Sequence, residues 1–236
     1  MKKLLAANNC GINQNGIKNL DLEVLNTNDN DKITNVSFMK SLKNLSAIRH
    51  CGIDQNGILG LNLNYLYANS NEKIIDVSFM KSLKELIIRD TCGIGQNGIN
   101  GLNLVVLDAG SNDKIINVSF MKSLKNLHAN ETCGINQNGI RGLNLILLNV
   151  MNNSKIINVS FMKSLKKIYI QDKCGIDQNG IKNLDLQVLV ARDNDKITNV
   201  SFMKSLKILD ASNNCGINQN GIKGLEIIEL NVIINI

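Results

Sequence analysis

Long hydrophobic runs are missing from this chain. No stretch of 18 consecutive apolar residues occurs, which argues against a membrane-spanning helix. Proline and tryptophan are absent, and aromatic residues make up only 3% of the sequence. The basic residues are therefore not interleaved with stacking side chains in the manner of single-strand nucleic-acid binders, so neither nucleic acid nor membrane is an expected partner. Histidine occurs only at His50 and His128, on separate segments. No phosphate-binding loop, dinucleotide fingerprint or metal-ligand spacing is present. The expectation is a protein that is not an enzyme and uses no cofactor.

What is there instead is repetition. Five copies of VSFMKSLK and six of CGI-x-QNGI recur every 41 residues, and the second motif places cysteines at 10, 51, 92, 133, 174 and 215. Such a period marks a solenoid, in which each unit buries its apolar face against its neighbours. Each repeat divides into two similar halves. LEVLNTNDNDKI (22–33) places Leu22, Leu25, Thr27 and Ile33 where LKNLSAIRHCGI (42–53) places Leu42, Leu45, Ala47 and Ile53. In a strand alternate side chains face opposite sides, so Leu25 and Thr27 face the core while Val24, Asn26 and Asn28 face solvent. Asn30 and its copies through Asn235 suit a buried bend, where one amide both donates and accepts. The cysteine takes the same place in the alternate coil. Gly16, after Asn15, reads as a tight turn with positive φ, and Ser37 as the cap of a short helical turn.

Both halves fit L-x-x-L-x-L-x-x-N-x-x-L. Over its full length the chain resembles the leucine-rich-repeat proteins, and the segment KITNVSFMKSLKNL (32–45) looks most like the short repeats of bacterial internalins. The resemblance implies an α/β leucine-rich-repeat solenoid: a right-handed arc of about twelve coils forming a single domain over 1–236. Its parallel sheet would line the concave side, with short 3-10 or single-turn helices on the convex side. Recognition of a protein partner through the concave sheet is the function the resemblance implies.

The charge needs locating. The formal net charge is +6, yet fifteen of 26 basic residues lie in three lysine rows beginning at Lys32, Lys40 and Lys43. These rows read as a solvated scaffold face; the other reading is a surface-attachment array for membrane or polyanion. On the sheet positions and their strand ends, five basic residues (Lys3, Arg49, Arg89, Lys167, Arg192) stand against nine acidic ones (Asp29, Glu85, Asp90, Asp108, Glu131, Asp172, Asp193, Asp210, Glu229). All three tyrosines and three of the arginines fall on this variable surface, residue types enriched at interface hot spots. The candidate binding residues are Tyr65, Tyr67, Ile87, Arg89, Arg49, His128, Met151, Tyr169 and Arg192.

The cysteines recur two coils apart, about 10 Å by strand spacing, too far for a disulfide. Six buried, reduced thiols are expected, and with them a cytoplasmic or otherwise reducing compartment. The opening MKKLLAANNC aligns with LKILDASNNC (206–215) and reads as a repeat strand, with no signal peptide. Met1–Ala7 and Ile227–Ile234 read as uncapped strand units, for which end-to-end self-association is expected.

Overall fold

A computed structural model describes residues 2–231. Met1 and the apolar finish Val232, Ile233, Ile234 and Ile236, together with Asn235, lie outside the described residues. The chain forms two compact units, Met1–Ile115 and Ile116–Ile236. The first carries strands β1 (Lys3–Leu5), β2 (Val24–Asn26), β3 (Asn44–Ser46), β4 (Tyr65–Tyr67), β5 (Glu85–Ile87) and β6 (Val106–Asp108). The second carries β7 (Asn126–His128), β8 (Leu147–Asn149), β9 (Lys167–Tyr169), β10 (Val188–Val190), β11 (Ile208–Asp210) and β12 (Glu229–Asn231). Within each unit the strands pair in parallel and in sequence order, the pattern of a solenoid.

Two coils make one repeat, as the halves of the sequence predict. Val24 pairs with Asn44 and Asn44 with Tyr65, so successive coils advance by 20 and then 21 residues. Leucines at the strand centres, such as Leu25, Leu45, Leu66 and Leu86, are at most 1% exposed. Full burial of each such side chain contributes about 1.5–3 kcal/mol, so every coil adds its own increment to the core. Val36, Met39 and Leu42 with their copies close the opposite, turn side of that core.

Backbone groups between the strands are satisfied by three side-chain devices. The first is the asparagine row. Asn71 Nδ2 donates to Ala47 O (2.9 Å) and Ile53 O (3.2 Å) of the preceding coil, while its Oδ1 accepts from Lys73 N (2.9 Å). The second is the Cys-Gly pair. Cys51 Sγ accepts weakly from Ile53 N (3.4 Å), the counterpart of the asparagine's local bond. Its thiol reaches back only to Thr27 Oγ1 (3.1 Å) and bonds no carbonyl there, so the backbone approaches instead: Gly52 N donates directly to Asn30 O (2.9 Å). A Cβ on Gly52 would stand 2.4 Å from Asp31 O and 2.6 Å from Ile33 O, and only glycine fits. The third is the glutamine of QNGI: Gln55 Oε1 accepts from Ile75 N and Asp76 N while its Nε2 donates to Asp76 O.

Three expectations are corrected. The QNGI glycine is not at positive φ; positive φ falls instead at Gly60, Gly101, Gly142 and Gly224. Close approach requires the glycine, since a Cβ on Gly57 would sit 2.2 Å from Thr34 O. Helical turns form at QNGI, as one α-turn (Gln14–Ile17) and 3-10 turns such as Asn56–Ile58 and Gln96–Ile99 in the first unit. The second unit carries them at Asn138–Ile140, Asn179–Ile181 and Gln219–Ile222. Ser37 starts no such helix; Asn35 Oδ1 accepts from Ser37 N (2.9 Å) and shapes that turn. Finally, Cys51, Cys92, Cys133 and Cys174 are buried, but Cys10 and Cys215 are only half-buried. None of the six is in a disulfide, and burial pushes the Cys92 and Cys174 thiols up to about 11.

Candidate binding surface

In the first unit the outward face of the sheet brings an aromatic and an aliphatic pair together. Tyr65 and Tyr67 flank the buried Leu66 on β4 and project to the same side. The parallel register sets Tyr65 beside Glu85 and Tyr67 beside Ile87. Tyr67 Oη donates to Glu85 Oε1 at 2.8 Å, which fixes the ring over the β4–β5 boundary. Partial burial, then the hydrogen bond to the Glu85 carboxylate, push the Tyr67 phenol up to about 12.

Arg89, just past β5, lies 3.7 Å from Asp108 Oδ2 on β6, and Asp108 is held in turn by Gly110 N (3.0 Å). The aspartate is largely buried while the guanidinium stays 40% exposed, so the pair anchors one side of the fork and leaves donors outward. Arg49 lies at the strand end, not in the outward strand rows, and faces Asp29 at 3.6 Å. Its backbone is left-handed (φ 60°), as are those of Asn8, Asp29, Ser70, Asp90 and Ser111 at the same point of the other coils. These strand ends border a shallow depression of about 470 Å³ lined by residues including Asn26, Asn28, Asp29, Ile48, Arg49 and Asn69.

The second unit holds the remaining candidates. His128 on β7 stands opposite Asn149 on β8, and Asn149 opposite Tyr169 on β9. Gln171 Nε2 donates to Met151 Sδ at 3.1 Å, tying two outward side chains together. Arg192 is clamped: Nη2 donates to Asp210 Oδ2 (2.9 Å) and Nε to Ser212 Oγ (3.2 Å). Burial pushes the Asp210 carboxyl up, but hydrogen bonds from Ser212 and Arg192 outweigh it and the group lies below the ordinary carboxylate range. Thus Tyr65, Tyr67, Ile87, Arg89 and Arg49 belong to the first unit, and His128, Met151, Tyr169 and Arg192 to the second. Sequence reasoning counted Glu85, Asp108 and Asp210 only as surface charges and missed their roles. Their one-strand offset from Tyr67, Arg89 and Arg192 was the available signal.

The turn side bears on the lysine rows. Lys73, Lys114, Lys155 and Lys196 donate their ammonium groups to the carbonyls of Cys51, Cys92, Cys133 and Cys174 at 3.0–3.2 Å. Lys40 and Lys163 donate to Ser37 O and Ser160 O at 2.7 Å. Ser41 gives its N–H and O–H to Asp21 of the coil before (2.9 and 2.7 Å). The sameness of VSFMKSLK between copies therefore has a structural cause even at exposed positions.

Among the described residues no group of three or more His, Cys, Asp and Glu side chains is placed to hold a metal ion, and no helix is long and apolar enough to cross a membrane. No protein-family model matches this sequence, and no curated protein matches it.

Proposed function

We propose that this chain is a non-enzymatic leucine-rich-repeat module that recognises a protein partner through the outward face of its parallel sheet. The observation that carries the reading is the Tyr65–Tyr67–Ile87–Arg89 cluster. Two tyrosines on β4 and an arginine just past the adjacent β5, the types richest in binding energy, stand together, with Tyr67 and Arg89 pre-positioned by Glu85 and Asp108. The leucine-rich-repeat assignment rests on the L-x-x-L-x-L pattern together with coils of 20 and 21 residues. Buried thiols in no disulfide support a reducing compartment. The rival reading, attachment through the lysine rows, has less support because many of those ammonium groups bond the protein's own carbonyls.

The test is a partner found by crosslinking and titrated against the Tyr65→Ala, Tyr67→Ala, Ile87→Ala, Arg89→Ala variant. Loss of a central anchor costs about 2 kcal/mol or more, so the combined variant should bind at least about 30-fold more weakly. Unchanged affinity would refute the assignment.

A further inference from the structure

We infer that the sheet face of the second unit takes a cationic, amphipathic protein segment, a deduction that rests on the recognition reading above. Two bases, Lys167 and Arg192, stand on its outward rows and strand ends, against Glu131, Asp172, Asp193, Asp210 and Glu229. Arg192 is neutralised by Asp210 at 2.9 Å. Lys167 then stands alone among four carboxylates, on a chain whose overall charge is +6; Lys173, also exposed, follows Asp172 at the bend.

The arrangement is ordered along the strands. Leu147, Val188 and Ile208 occupy the first outward row, Tyr169 and Val190 the second, and Glu131, Asp172 and Asp193 the strand ends. A bound segment would lay apolar side chains on the first rows and basic ones over the last. A second observation points the same way. Asn130, in the outward row of Gln171 and Arg192 and next to Glu131, is 2% exposed, and its Oδ1 has no hydrogen-bond partner. Acceptors thus dominate this edge, and lysine and arginine side chains offer donors only. The sheet face of a second copy carries the same sign and is a poor fit.

The experiment uses the full chain with a short amphipathic leucine–lysine peptide, and the same peptide with every lysine replaced by glutamate. Asp172 and Asp193 have left-handed backbones (φ 59° and 54°), which asparagine adopts readily, so the Asp172→Asn, Asp193→Asn variant keeps the fold. The Asp113→Asn, Asp195→Asn variant, at two exposed turn positions, controls for net charge. The lysine peptide should bind, weaken with added salt, and lose at least about ten-fold in the double variant but not in the control, the signature of local charge complementarity. The glutamate peptide should not bind. Equal loss in the control, no loss in the double variant, or binding of neither peptide would overturn the inference. Self-association removed by the same double variant would also overturn it, by making the occupant a second copy. Loss on the Tyr65–Arg89 alanine variant tests the recognition reading separately, so either can fail alone.

Discussion

Single residues carry costs that the repeat exposes by comparison. At the strand ends most coils place Asn, Asp or Ser in a left-handed backbone, but Arg49 (φ 60°) and Glu131 (φ 58°) are forced into it without the local hydrogen bonding that suits those smaller side chains. Replacing either with asparagine is expected to stabilise the protein by about 0.5–1 kcal/mol, since the exposed Arg49–Asp29 pair adds little. Urea midpoints at or below wild type would contradict this. The two bend residues should differ in the opposite direction. Asn112→Ala leaves Ile88 O, Ile94 O and Lys114 N without their bonds and should cost about 2–4 kcal/mol, whereas Cys92→Ala should cost about 1–2. Equal losses would mean that the amide row is dispensable. Tyr67 supplies a pH signature. Its phenol is raised from 10 to about 12, so the neutral form is favoured in the fold. The stability it contributes is intact below pH 10 and is lost as pH rises toward 12. Absorbance titration should show one tyrosine ionising late, and Glu85→Ala should move it down. An unmoved titration would discount the Glu85 bond.

At the scale of coils, glycine position separates close approach from simple turning. Gly57→Ala drives a Cβ to 2.2 Å from Thr34 O, while at Gly16 the nearest atom is Ile12 Cγ2 at 3.4 Å. Gly57→Ala should therefore destabilise by about 3 kcal/mol or more and Gly16→Ala hardly at all, compared by thermal unfolding. Similar effects at both sites would remove the packing argument. The coil architecture was legible in the sequence because two short motifs repeat in step with the leucines. How the coils are stitched was not. A cysteine and an asparagine at equivalent places look like substitutes, yet one brings donors and the other works only because Gly52 and Gly93 let two backbones touch. Nothing in a periodic pattern distinguishes a glycine kept for φ from one kept for space.

For the molecule as a whole, the variable sheet positions were readable from strand alternation alone, and Tyr65, Tyr67 and Ile87 lie on the face expected of them. The partnerships of Arg89 and Arg192 were not, because they depend on rotamers reaching across one strand. Thiol accessibility gives a global check. Cys10 and Cys215 should react first with a thiol reagent, and Cys51, Cys92 and Cys174 only on unfolding, since burial raises the last three. Six equally fast thiols would contradict the packed core. The glutamine clamp, finally, sets an arithmetic on length. Gln14 of one coil grips Thr34 and Asn35 of the next, Gln55 grips Ile75 and Asp76, and the coils between contribute no such glutamine. Gene segments encoding 41 residues can be lost or duplicated with every junction restored. A segment encoding a single coil would bring two like coils face to face and leave a clamp closing on the wrong strand of backbone. A lineage of such chains would grow and shrink in even numbers of coils.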